Sequence, residues 1–434
     1  MARAATFFLA LGLVYLVAFV LADGLRFEPV KDEVHFLDSA QIFAGSFEVE
    51  DLRSYPELVT PLALVAWGAL ENLTGDGLWA GRCLNFVLSF ALVCLVAFAR
   101  SDWWPRGALA ALGLLLFPYT LPLSVHLYTD IMAVAFAGLG TLALLRKRAV
   151  LAFLALSAAI ATRQYLVQVP AALAAAEAFA WYRGDAERWR TALAAGAATA
   201  TLGAWVVFFG GLAPRAGLDA WIPLYPAPML EASALILHYG LYALSGVGAY
   251  FVLVEALLFR ELPPRAALLR RRNLVAGVVL AGLFLVDPPI LTSNHPGGPL
   301  GRAARFLLPS PEFDLVRVGI YYVLALLTVV RFAIRIDVAF WIVAAGTVLA
   351  MKQQIPWEKY LLPTLSSLWM LRASGNLLAY GEGERTASTS KSLTKQSSPT
   401  VRLSTYAPAF VPKMLPETNV LRVRSASRSN SETG

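Results

Sequence analysis

The sequence predicts an all-α polytopic membrane protein, a bundle of about twelve transmembrane helices with further helices lying along one membrane surface. Three observations carry that prediction. The 434 residues are 58% hydrophobic and only 15% charged, against roughly 25% charged in a soluble domain. Apolar runs of the ~20 residues that a span needs recur along most of the chain and leave no stretch from which a soluble core could be built. The basic residues gather at alternate connections, the charge asymmetry of a chain threaded through a bilayer. The alternation of a β-barrel is absent.

Taken in order, the first apolar run, 5–22, follows Arg3 and lacks a small-residue cleavage site around 20–23, so it reads as a retained span and not a signal peptide. The segment 56–70 is apolar but short, and Pro61 interrupts it. Whether it crosses or lies at the interface decides the sidedness of everything after it, and the basic residues arbitrate. With 56–70 kept on the outer surface, the remaining spans fall at 78–99, 107–124, 130–145, 149–163, 165–182, 191–209, 233–258, 273–288, 317–331, 337–351 and 358–371. The inner connections then carry Arg100 and Arg106; Arg146, Lys147 and Arg148; Arg183, Arg188 and Arg190; Arg260, Arg265, Arg270, Arg271 and Arg272; Arg331 and Arg335; and Arg372. Each is basic, as the positive-inside rule requires. A crossing 56–70 would put them all outside, so the expectation is twelve spans with both termini cytoplasmic.

The outer segments, 23–77, 126–129, 162–164, 210–232, 289–316 and 352–357, share a composition of Asp, Glu, His, Pro, Gly, Trp and Tyr, and all four histidines (His35, His126, His238, His295) fall on or near that face. Cys83 and Cys94 lie eleven positions apart in one run, about 16 Å along a helix, too far to bond to each other. Asn72-Leu73-Thr74 has the form of a glycosylation sequon. The tail 381–434 is rich in Ser and Thr and poor in large apolar clusters, the composition of a disordered cytoplasmic segment. There is no internal repeat and no nucleotide-binding glycine loop.

Exceptions to the charge rule are informative. Lys31, Arg53, Arg163, Arg215, Arg302, Arg305, Lys352 and Lys359 sit outside or near outer helix ends. Arg163 stands between two apolar runs, where a charge costs a few kcal/mol on insertion scales and needs a partner. Spacing leaves two partners open: a carboxylate, Asp130 or Asp32, or the phosphate of a lipid-linked substrate, which a guanidinium fork matches. The adjacent acids Asp32 and Glu33, just after the first run, also have two readings. They are the N-terminal charges of a helix through Gln41, favoured by its dipole, or they supply a general base. The glycine-rich loop 291–299 could bind sugar hydroxyls or simply connect.

A set of motifs occurs in order. It comprises Asp32-Glu33 with Ala40-Gln41, Arg82 and Asn85, Tyr128-Thr129-Asp130, Arg163-Gln164, Asn294-His295, and Lys359-Tyr360 to Pro363. It resembles the GT-C superfamily of membrane glycosyltransferases over about residues 20 to 372, and within it most closely the dolichyl-phosphate-glucose-dependent α-1,2-glucosyltransferases. Where that family has Thr-Asn after Arg-Gln, this chain has Tyr165-Leu166.

The resemblance implies a GT-C-like bundle, residues 1–380, with 24–77 as an outer catalytic loop. It also implies an inverting transfer of a hexose, glucose favoured, from a polyprenyl- or dolichyl-phosphate donor to a hydroxyl of a glycan or lipid-linked acceptor. Asp32 would be the base and Glu33 the second acid. Arg163 and Lys359 would hold the donor phosphate. Gln164, Tyr128, Asp130, Asn294 and His295 would contact substrate, with neither metal nor cofactor. The site would face the periplasm or the lumen of the endoplasmic reticulum. The main rival is a lipid or solute transporter or flippase. Such proteins place ionisable groups near the bilayer midplane, whereas these spans are almost free of charge and polar residues crowd one face. A scaffold gives Arg163 no purpose.

Overall fold

The computed structural model describes residues 2–45, 47–100, 102, 104–221, 235–261, 269–289, 297–333, 335–353 and 356–377. Among the described residues every regular element is a helix. The chain opens with α1 (Ala2–Leu21), passes through α2 (Lys31–Gly45) and α3 (Leu62–Thr74), and continues with α4 (Gly77–Ala97), α5 (Arg106–Leu115), α6 (Thr129–Leu145), α7 (Ala149–Thr162), α8 (Gln168–Tyr182) and α9 (Trp189–Phe209). Then come α10 (Leu237–Phe259), α11 (Arg271–Val286), α12 (Pro299–Leu307), α13 (Asp314–Phe332), α14 (Val338–Ala350) and α15 (Leu362–Ser374). Every expected span is represented by a helix, and among the described residues α2, α3, α12 and the short helices Asp51–Ser54 and Arg215–Trp221 are additional. The tail from 381 onward lies outside the described residues.

Five stretches, Arg3–Leu21, Gly77–Ala97, Ala186–Phe209, Leu237–Phe259 and Pro311–Phe332, are long and apolar enough to cross a membrane, and α3, α5, α6, α7 and α14 are shorter apolar helices. This is an integral membrane protein. Three expected spans unwind at one end. The run 107–124 stops being helical at Leu115 and resumes only as the short turn Thr120–Ser124, while α8 and α15 are each preceded by a 3₁₀ turn, Gln164–Val167 and Glu358–Leu361. Prolines account for the breaks. Pro118 cannot donate to a continuing ladder, and Pro170 and Pro363 sit in the first turns of α8 and α15, where a missing N–H leaves no bond unmade.

The core is built around α15, which is buried on every face from Leu362 to Ala373, as expected of a helix surrounded by others. Small residues allow the approach. Gly113 of α5 admits Trp369, whose ring would lie 2.5 Å from a Cβ at that position. Gly248, in the π-turn Gly248–Val252 of α10, packs on the Leu324 carbonyl of α13 so closely that a Cβ would overlap backbone. By contrast α1 is peripheral. Only its Leu11 and Tyr15 are among the buried residues, Tyr15 through a 2.7 Å hydroxyl contact with Ser89.

Among the described residues, members of several arginine-rich connections come together. There Glu255 is buried between Arg331, at 2.8 and 2.9 Å, and Arg372, at 3.1 Å, and Arg372 also reaches Glu261 at 2.6 Å. Arg146 donates to the Phe98 and Ala99 carbonyls, and Lys147 pairs with Glu187. Apart from these connections lie α2, α3 and the unwound turns, and there the remaining polar residues converge.

Candidate active site

The site is held together by a carboxylate that does not face it. Asp32 and Glu33 occupy the first turn of α2, where two adjacent residues point about 100° apart. Glu33 turns inward and is completely buried. Its Oε1 accepts from Arg82 Nε at 2.9 Å and the Leu127 amide at 2.6 Å. Its Oε2 accepts from Arg82 Nη2 at 2.8 Å and the Val30 amide at 3.0 Å, with His126 Nδ1 at 3.2 Å. Burial alone would raise this carboxyl, but the hydrogen bonds from His126, Arg82 and the two amides outweigh it and hold it at about 2. Arg82 spends its remaining donors on the Leu25 and Phe27 carbonyls, 3.0 and 2.7 Å away, and lies 3.8 Å over the Phe27 ring. Asn85, one helical turn on, donates to the carbonyls of His126 and Tyr128. Two chain segments, 25–33 and 126–128, are thereby pinned to α4.

The consequence falls on Asp32, which turns the other way. It lines a cavity of about 440 Å³ and accepts a 3.2 Å hydrogen bond from the Tyr128 hydroxyl. Burial first, and then the Asp32 charge, keep that hydroxyl protonated well above the usual phenol range.

The second wall comes from the break between α7 and α8. Arg163 is extended, and its guanidinium pairs with Asp130 at 3.4 Å, donates to the Thr129 hydroxyl and lies over the Tyr165 ring. Asp130 is fully buried and takes a 2.6 Å bond from the Tyr165 hydroxyl. Of the two partners that spacing left open for Arg163, Asp130 is therefore present, yet Arg163 also lines the cavity while Asp130 stands behind it. Gln164 borders the cavity too, but its amide is engaged with backbone, donating to the Leu58 and Leu212 carbonyls and accepting from the Thr60 amide.

The third wall is the 3₁₀ turn before α15. Lys359 is buried with its Nζ 4.6 Å from the Trp357 ring centroid, 5.3 Å from Tyr128 and 5.4 Å from Tyr360. Among the described residues no carboxylate lies within ion-pair distance of it. The aromatic faces hold the cation by its attraction to their π-electrons, and its place in the cavity wall leaves it able to meet an anion there. Next to it in sequence, Glu358 turns away and ties this turn to α10 and α12 by accepting from the Tyr242 hydroxyl and the Leu300 and Gly301 amides.

Of the residues singled out in the sequence, Asp32, Tyr128, Arg163, Gln164 and Lys359 line one cavity. Glu33 and Asp130 support it from behind, and Asn294 and His295 lie outside the described residues. Glu57 is a lining residue that sequence reasoning passed over. Burial pushes it up to about 7 against the pull of Arg163, and the Asp32 charge adds to the rise. The available signal was an acid inside the otherwise apolar segment 55–65. Val167, Leu202, Leu212 and Leu349 supply an apolar side to the same cavity. The arrangement can take a proton at Asp32, hold an anion at Arg163 and Lys359, and seat an apolar group beside them.

No family model matches this sequence, and no curated protein matches it. Among solved structures, the crystal structure of ArnT from Cupriavidus metallidurans bound to undecaprenyl phosphate aligns with 93% of this chain and 66% of its own, at 15% identity and a TM-score of 0.40. The present chain thus spans just under two thirds of the length of that protein.

Proposed function

We propose that the protein is an inverting glycosyltransferase of the GT-C type. In this reading residues 1–380 form the transferase body, with 24–77 its catalytic loop. It moves a hexose, glucose favoured, from a polyprenyl- or dolichyl-phosphate donor to a hydroxyl of a glycan or lipid-linked acceptor. The observation that carries this is the presence of the Asp32 carboxylate and the Arg163 and Lys359 cations in the walls of one cavity. The positive-inside assignment puts that cavity on the periplasmic or luminal face.

Asp32 takes the proton of the acceptor hydroxyl as its oxygen bonds to the anomeric carbon. The bond from that carbon to the phosphate oxygen breaks with its electron pair, so a singly charged phosphodiester leaves as a more highly charged monoester. One such displacement inverts the anomeric centre. Positioned base catalysis contributes typically 10² to 10⁴-fold, and fixed cations meet the charge developing on the phosphate without reorganising. Tyr128 orients Asp32, Asp130 orients Arg163, and the apolar side of the cavity receives the start of the polyprenyl chain.

The test is transfer by the purified protein, using labelled polyprenyl-phosphate sugars with glycan and lipid-linked acceptors. Asp32→Asn is expected to lose at least about 100-fold in turnover while keeping its fold and its donor affinity. Equal turnover by that variant would remove Asp32 from the mechanism.

A further inference from the structure

Glu57 has no part in the mechanism above, yet the backbone around it is among the most tightly held in the site. Gln164 donates to the Leu58 carbonyl and accepts from the Thr60 amide, the Thr60 hydroxyl donates to the Ile160 carbonyl, and the Tyr55 hydroxyl donates to the Val59 carbonyl. On the other side the Trp221 indole donates to the Pro56 carbonyl at 3.3 Å. Gly217 packs on the Glu57 backbone so closely that a Cβ there would overlap its carbonyl. This clamp, fastened through the neighbour of Arg163, sets Glu57, a residue only 4% exposed, into the cavity wall. Among the described residues no cation reaches it at ion-pair distance. The clamp delivers a second carboxyl, besides Asp32, into a cavity that is also lined by the cations Arg163, Lys352 and Lys359.

The charged and titratable groups facing the cavity with Glu57 are Asp32 and His35 from α2, Tyr128 just before α6, Arg163 and Tyr165 from the turn after α7, and Lys352, Lys359 and Tyr360 from the segment between α14 and α15. Arg163 and Asp32 act on Glu57 through space, with opposite signs. A phosphate resting on Arg163 would withdraw part of the attraction that favours the Glu57 carboxylate and add a like charge beside it. Ionised Glu57 and a bound phosphate therefore draw on the field of one guanidinium, Glu57 through space and the phosphate by contact.

We propose that Glu57 is a proton-carrying member of the phosphate site: it is neutral when an anionic phosphodiester occupies Arg163, takes up a proton if it was ionised, and opposes binding when it stays ionised. The proposal rests on the reading that this cavity takes a lipid-phosphate sugar, and it names a residue that tunes the affinity for that ligand. It places Glu57 in donor binding; proton abstraction from the acceptor stays with Asp32.

The probe is a polyprenyl-phosphoglucose, a phosphodiester whose own ionisation is complete well below pH 5, so the pH dependence read out belongs to the protein. Its affinity for the full-length wild type should be flat below pH 6 and fall above pH 7, by roughly 30-fold at pH 8.5 if only the neutral form of Glu57 binds. Glu57→Gln, which keeps the shape and the neutral charge, should bind at pH 8.5 about as tightly as the wild type does at pH 6. His35→Asn should retain the wild-type slope. Calorimetry in two buffers of different ionisation enthalpy should find close to one proton taken up per donor bound at pH 8, and none in Glu57→Gln. A wild-type affinity that does not change with pH, a Glu57→Gln variant with the wild-type slope, or a probe that fails to bind at any pH would each overturn the proposal. PH-independent binding with transfer intact would remove this role of Glu57 and leave the transferase. Proton-coupled binding without transfer would do the reverse.

Discussion

Arg82 grips Glu33 with two hydrogen bonds, 2.9 Å from Nε to Oε1 and 2.8 Å from Nη2 to Oε2, and neither side chain meets solvent. The pair joins α4 to the start of α2, and with Asn85 it fixes the spacing between Asp32 and the 126–128 turn. Replacing one member of a buried ion pair leaves an uncompensated charge, at a cost of about 3–5 kcal/mol. Glu33→Gln is therefore expected to lower the thermal unfolding midpoint in detergent by several degrees. Its pH dependence has a definite sign. The folded carboxyl sits at about 2, below its ordinary value, so its stabilisation is complete above about pH 5 and is lost as pH falls toward 2, amounting to roughly 3 kcal/mol. Unfolding midpoints measured from pH 5 down to pH 2.5 should fall more steeply in the wild type than in Glu33→Gln.

Arg163 has two duties that can be separated. Arg163→Ala takes from the buried Asp130 its ion-pair partner, leaving the Tyr165 hydroxyl, its own amide and the more distant Lys359 charge, and should destabilise the protein by about 3 kcal/mol or more. Adding Asp130→Asn should restore most of that stability and none of the affinity for a polyprenyl-phosphate sugar. Arg163→Lys keeps the charge but loses the fork, and KM for the donor should rise roughly tenfold or more. Recovery of donor affinity in the double variant would mean that Arg163 serves Asp130 alone.

Tyr128→Phe removes the 3.2 Å hydrogen bond to Asp32 and leaves the ring, including its face toward Lys359. A bond to an ionised carboxylate is worth about 1.5–3 kcal/mol, so kcat should fall roughly 10- to 100-fold with little change in KM for the donor. An unchanged kcat would make the tyrosine a packing residue only.

Gly248→Ala tests the packing that holds the bundle together. The added methyl overlaps the Leu324 carbonyl, a backbone group that cannot swing aside, so α10 and α13 must separate. Overpacking of this kind costs typically 1–3 kcal/mol, and the unfolding midpoint should drop while the variant at Gly203, which faces open space, shows no such loss.

What could be read directly from the residues is what depends on neighbours in sequence. The length of apolar runs and the placement of arginine at alternate connections are local properties, and they gave the twelve apolar runs that appear as helices, while the breaks beside Pro118, Pro170 and Pro363 were not read from them. They also marked Arg163 and Lys359 as charges out of place and Asp32-Glu33 as an adjacent acidic pair after the first run. They could not say which member of an acidic pair faces outward, because Asp32 and Glu33 differ only in the side of α2 they occupy, and Glu33 is drawn inward by Arg82, 49 residues away. Nor could they give Asp130 to Arg163, assign Gln164 to the Leu58 carbonyl across 106 positions, or find Glu57 in the cavity wall. Those pairings belong to the tertiary structure, because a buried charge or amide takes whichever partner the packing brings within 3 Å, and packing joins segments with no proximity in sequence.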